Sequence, residues 1–169
     1  MCAVLAVNNI LTRHGHQPRH VDAFRAVAGG DCDASGHFEW LALSRALNMA
    51  VDGQRFGMTP VLQQEYLQPS PFTAGTLGFV LHTPGHWISL LPPPAGEDTP
   101  IAALLCDSLY TKPFGLQADE LTALLRAIGD SQYAAALLPQ VSEATRMNLA
   151  GRWSAYRVQP LSHANEPRG

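Results

Sequence analysis

The sequence predicts an α+β fold in which an N-terminal helix packs on a small antiparallel sheet. Three observations predict it. Helix-period apolar patterns dominate the chain as far as residue 49. Short β-type runs bounded by turn residues follow between 77 and 109. A last helical pattern and a last strand-like run come after them. The chain has 169 residues, 46% of them hydrophobic, which suits one domain with a real core. That domain is expected over 1–160, with 161–169 as a flexible C-terminal tail.

CAVLAVNNILT (2–12) contains no Gly or Pro and does not alternate apolar with polar. Its Ala and Leu content favours helix, so a largely buried helix is expected over 3–12, stopped by Gly15. TRHGHQPRH is read as a polar turn. VDAFRAVA (21–28) is a short helix, with Val21, Phe24, Val27 and Ala28 on one face. GGDCDASG (29–36) is loop by composition. HFEWLALSRALNMAV carries Phe38, Leu41, Leu43, Ala46, Leu47 and Met49 on one heavy side, again helical. QRFGMTPVLQQEYLQ (54–68) is ambiguous.

Strands are expected at 77–82 and 86–91, with TPG (83–85) as the turn between them. A third strand, in IAALLCDSL (101–109), should end near Asp107 after the loop 92–100. LQADELTALLRAI (116–128) is the clearest helix, with Leu121, Leu124, Leu125 and Ile128 inward. Residues 133–149 intervene before a last strand, WSAYRV (153–158).

Charge and composition exclude several functions. The formal net charge is -3, and Lys and Arg are scattered with no basic tract, so no nucleic-acid surface is expected. No long apolar run suits a transmembrane helix, and no secretory signal is seen at the start. The three cysteines, Cys2, Cys32 and Cys106, are no disulfide scaffold and suggest a reducing, cytoplasmic setting. His14, His16, His20 and His37 do not follow a zinc spacing, and no cysteine pair supports one. Neither metal nor cofactor is expected, and the chain is expected to be a monomer.

Three residues can carry chemistry. A helix N-terminus stabilises a thiolate, and Cys2 opens the first helix. His86 begins a strand, where its side chain can face a cleft and serve as base. Asp107 ends the next strand, which antiparallel pairing brings to the same sheet edge. A Cys–His–Asp arrangement can therefore assemble from Cys2, His86 and Asp107. Each also has a plainer reading: an incidental terminal thiol, a strand-end histidine and a turn aspartate. Asn8 and Asn9 lie on a mostly buried helix and must find partners, either in the neighbouring loop or in the site. Cys32, between Asp31 and Asp33, is a poor nucleophile. Cys106 is expected to be buried. Trp87 should point away from His86 as core or groove wall, and Trp40 and Trp153 read as packing residues.

The opening CAVLAVNNIL resembles the head of the Josephin-domain cysteine proteases, with Cys2, Ala3, Asn8, Asn9 and Leu11 at matching positions. Further matching blocks follow in family order: DASGHF (Asp33, Ser35, Gly36, Phe38), HWISL (His86, Trp87) and LLCDSL (Asp107, Ser108). The resemblance implies a papain-like Josephin fold with Cys2 as nucleophile, His86 as general base and Asp107 as orienting residue. It implies a cysteine-type deubiquitinase, a hydrolase that cleaves isopeptide or peptide bonds after ubiquitin or a ubiquitin-like protein. Family members carry a glutamine a few residues before the nucleophile, and only Met1 precedes Cys2 here. Three readings follow: a start upstream of this sequence, a differently built oxyanion site, or removal of Met1 to free the Cys2 α-amine. The connection between Leu11 and Asp33 is too short for a long helical arm over the substrate. A catalytically weak ubiquitin-binding module, or a peptidase or amidohydrolase on small peptides, are the alternatives.

Overall fold

The computed structural model describes residues 2–29, 39–61, 71–83, 86–94, 100–126 and 154–161. The first helix, α1 (Cys2–Arg13), buries Ala3, Val4, Ala6, Val7, Ile10 and Leu11, a broad apolar stripe at helical spacing. Gly15, at φ +74°, lies in the turn just beyond it. The helices α2 (Val21–Ala28) and α3 (Trp40–Asn48) follow. Then come β1 (Phe56–Pro60), β2 (Gly78–Thr83), β3 (His86–Leu91), β4 (Ala103–Asp107), β5 (Phe114–Leu116), α4 (Ala118–Arg126) and β6 (Ser154–Pro160). The result is an α+β arrangement around one six-stranded sheet of order β1-β6-β2-β3-β4-β5, with every pair antiparallel.

Strand alternation divides the core in two. Val80, Trp87, Leu91, Tyr156 and Val158 face α1, α2 and α3. Phe79, Leu81, Ile88, Leu90, Leu105 and Ala155 face α4. All of HWISLL is buried because helices cover both faces of β3. The helix α1 packs mainly against β3, so its first residue arrives where β3 begins.

That packing depends on Gly78. A Cβ there would sit 2.9 Å from the Leu90 carbonyl oxygen and 3.1 Å from Ile10 Cγ1. The carbonyl belongs to the neighbouring strand and cannot move aside freely. Gly78→Ala is expected to cost about 1–3 kcal/mol, as overpacking does. It should lower the urea midpoint without changing the slope.

Several expectations need correction. The ambiguous stretch contains β1, an edge strand with Gly57 and the terminal Pro60, residues that weaken a strand signal. β5 is too short to show a period and lies just before the α4 pattern. The 101–109 strand begins at Ala103, and the last strand runs to Pro160. The polar turn after α1 hides Arg19, which is 4% exposed. Its guanidinium donates to the carbonyls of Met49 at 3.0 Å and Gln54 at 3.2 Å and lies over Phe56. Cys106 is only partly buried. Cys32, the DASGHF block, His37, Pro84 and Gly85, Trp153, the 133–149 segment and residues 162–169 lie outside the described residues. No helix among the described residues is long and apolar enough to cross a membrane.

Candidate active site

Register brings His86 and Asp107 together. Asp107 is the cross-strand partner of Ile88, and His86 lies two residues before Ile88 on the same face. They are therefore diagonal neighbours, within reach of an imidazole and a carboxylate. His86 Nε2 donates to Asp107 Oδ1 at 2.8 Å, with both residues buried at 8% and 3% exposure. The Leu109 N–H donates to the same oxygen at 3.0 Å, and the Tyr110 N–H donates to the Asp107 carbonyl at 3.0 Å. The turn after β4 thus locks the carboxylate in place. That carboxylate holds the imidazole by Nε2.

Cys2 is the first residue of α1, partly exposed, with no acidic residue in that first turn. Its side chain hydrogen-bonds to His86 and accepts the Trp87 N–H. Burial opposes the thiolate, but the hydrogen bonds from His86 and Trp87 and the charge of His86 together outweigh it, so the thiol pKa falls below 9.0. His86 moves the other way, up to about 9. The hydrogen bond to Asp107 is the largest cause and the one to Cys2 the next, both acting against desolvation. Opposite shifts in adjacent groups favour a thiolate–imidazolium pair, the reactive form of a cysteine nucleophile.

The neighbouring polar residues position the elements. Asn8 exchanges two hydrogen bonds with the Arg19 backbone, donating to its carbonyl at 2.9 Å and accepting its N–H at 2.8 Å. Of the two readings open for Asn8, this is the loop-anchoring one. Asn9 Nδ2 donates to Ser89 Oγ, and Ser89 Oγ donates to the Cys106 carbonyl, each at 3.4 Å. Asn9 thus links α1 to the strand end that carries Asp107. Ser89 escaped the sequence reading, although a lone hydroxyl in the apolar run HWISLL is itself a signal that a partner exists. Trp87 faces α1, α2 and α3 as core and stacks on His82, with centroids 3.9 Å apart. Trp40 is partly buried and stacks on Tyr156 at 5.5 Å. Three of the histidines weighed as metal ligands have structural contacts. His14 Nε2 lies 2.7 Å from the Leu77 carbonyl, the His16 ring packs on Phe56, and His20 caps α2 through the Asp22 N–H.

Beside Asp107 an open cleft of about 260 Å³ lies between α1 and the turn that follows β4. Nothing in the local sequence pattern announces it, because its walls come from separate elements. A comparison with protein-family models and with curated proteins finds no match to this chain.

Proposed function

We propose that the chain is a thiol-dependent hydrolase of Josephin-like fold, cleaving isopeptide or peptide bonds after ubiquitin or a ubiquitin-like modifier. The observation that carries this reading is the hydrogen-bonded series Cys2–His86–Asp107 at the head of a helix. The Cys2 thiolate attacks the carbonyl carbon of the modifier's terminal glycine. The His86 imidazolium then protonates the departing amine, leaving a thioester on Cys2. Neutral His86 takes a proton from water, which attacks the thioester and frees the thiol and the carboxylate. Backbone N–H groups in the first turn of α1 offer hydrogen bonds to the tetrahedral oxyanion.

One structural feature favours a second reading, hydrolysis of small peptides. The described residues between α1 and α3 hold only the eight-residue α2 and no long arm to cradle a protein substrate. The experiment is labelling with ubiquitin carrying a C-terminal electrophile, run beside a panel of short fluorogenic peptides. Covalent capture at Cys2 supports the deubiquitinase. Peptide turnover without capture transfers the same chemistry to small substrates. Ubiquitin binding with neither capture nor turnover leaves a binding module and ends the enzyme reading.

A further inference from the structure

The cleft beside the triad has a shape and charge of its own. One wall is α1, where Leu5 and Asn9 follow Cys2 at helical spacing on the same face. The floor is Cys106 and Asp107 at the end of β4, and the far wall includes Tyr110 and Lys112. On this side of the sheet α1 lies chiefly over β3, and Leu104 and Cys106 of β4 remain only partly covered. Its volume is below the roughly 300–1,000 Å³ of a complete small-molecule site. It can therefore hold one part of a substrate whose reacting bond lies at Cys2.

Its charge is one-sided. Asp107 is committed to His86. Lys112 is exposed in the far wall. Burial pushes the Cys106 thiol up; the Ser89 hydrogen bond opposes this, and after it the charge of Arg13, which lies one turn beyond Asn9 on α1 and close enough to be felt there. Among the described residues neither Arg13 nor Lys112 is held in an ion pair. The approach is partly apolar, since Leu5 is 44% exposed. Cations around a partly apolar entrance suit a short aliphatic chain that ends in an anion.

We propose that this cleft is a subsite for a substrate carboxylate, received between α1 and Lys112 beside the bond that Cys2 attacks. The inference rests on the thiol-hydrolase reading and adds a substrate preference to it. The carboxylate can be an acidic side chain next to the scissile bond or a free chain terminus.

The test is a tether scan at Cys2. N-iodoacetyl derivatives of glycine, β-alanine and γ-aminobutyrate are compared with their primary amides, the thiolate displacing iodide as the S–C bond forms. His86 favours any anion, so the informative quantity is the acid-to-amide rate ratio as the chain lengthens. The subsite predicts a maximum at one length, about fivefold above the ratio for iodoacetate over iodoacetamide, the upper range for a solvent-exposed ion pair. Lys112→Gln should remove that maximum, and Lys112→Glu should invert it. A flat ratio, or a maximum indifferent to Lys112, overturns the subsite while rapid iodoacetamide labelling leaves the hydrolase reading standing. If Cys2 reacts no faster than a free thiol with every reagent, the hydrolase reading fails instead. A glutarate titration then decides the cleft alone. Chemical-shift changes at Leu5 and Tyr110 that vanish in Lys112→Gln support it, and their absence overturns it. N-iodoacetyl-glutamate with its α-carboxylate amidated, set against N-iodoacetyl dipeptides with free termini, distinguishes the two sources of the carboxylate.

Discussion

Cys2→Ala is expected to lower kcat by about 10⁶-fold, the scale seen when a nucleophile is removed from a hydrogen-bonded triad. Covalent capture by an electrophilic ubiquitin should disappear with it. The loss should be chemical rather than structural, since Cys2 is only partly buried at the first residue of α1. Thermal unfolding should therefore move little. The imidazole provides an independent readout. The Cys2 hydrogen bond is the second cause that raises His86, after Asp107. In Cys2→Ala the His86 pKa should fall below about 9 yet stay above its ordinary 6.5, as followed by NMR titration. Turnover that survives in Cys2→Ala would sink the assignment and point to another thiol.

Asp107→Ala is the second large effect, with kcat/KM expected to fall by about 10³–10⁴-fold. The substitution removes the oxygen that receives both His86 Nε2 at 2.8 Å and the Leu109 N–H at 3.0 Å. The ring then loses its orientation and its main electrostatic support. Asp107→Asn should be far milder. In a thiolate–imidazolium pair both ring nitrogens already carry protons, so a neutral carbonyl oxygen can still orient the ring. What the amide cannot supply is charge. The alkaline limb of kcat/KM, set by the protonated His86 at about pH 9, should therefore move to lower pH in Asp107→Asn. The acid limb belongs to Cys2, whose pKa lies below 9.0.

The same shift has a consequence for stability. His86 binds its proton more tightly in the folded chain than in the unfolded one. Its contribution is complete below the unfolded value near 6.5 and is lost as pH rises through about 9. The stability difference between wild type and Asp107→Ala should be largest in the acidic part of that range and shrink above it. Urea titrations at several pH values measure this directly. A difference that grows toward pH 9 would contradict the proposed pairing.

Much of the site is legible in the chain because its signals are local. The apolar stripe of CAVLAVNNIL defines α1 and places Cys2 at its head. HWISLL and the end of the ALLCD strand bring His86 and Asp107 to one sheet edge once the two strands pair antiparallel. Edge elements are less legible. β1 contains Gly57 and ends on Pro60, and the three residues of β5 cannot display a period. Cys106 was expected inside because its strand is apolar, but the helical layer leaves that end of β4 partly uncovered.

By itself the sequence determined the four helices, the strands β2, β3, β4 and β6, and which residue types can perform thiol chemistry. Those properties follow from periodicity and functional groups within short windows. Only the tertiary structure decided that β6 inserts between β1 and β2, that Nε2 rather than Nδ1 of His86 meets Asp107, and that a cleft stays open beside Asp107. Pairing partners, ring orientation and uncovered surface depend on how distant elements pack together, and a local pattern does not encode that choice.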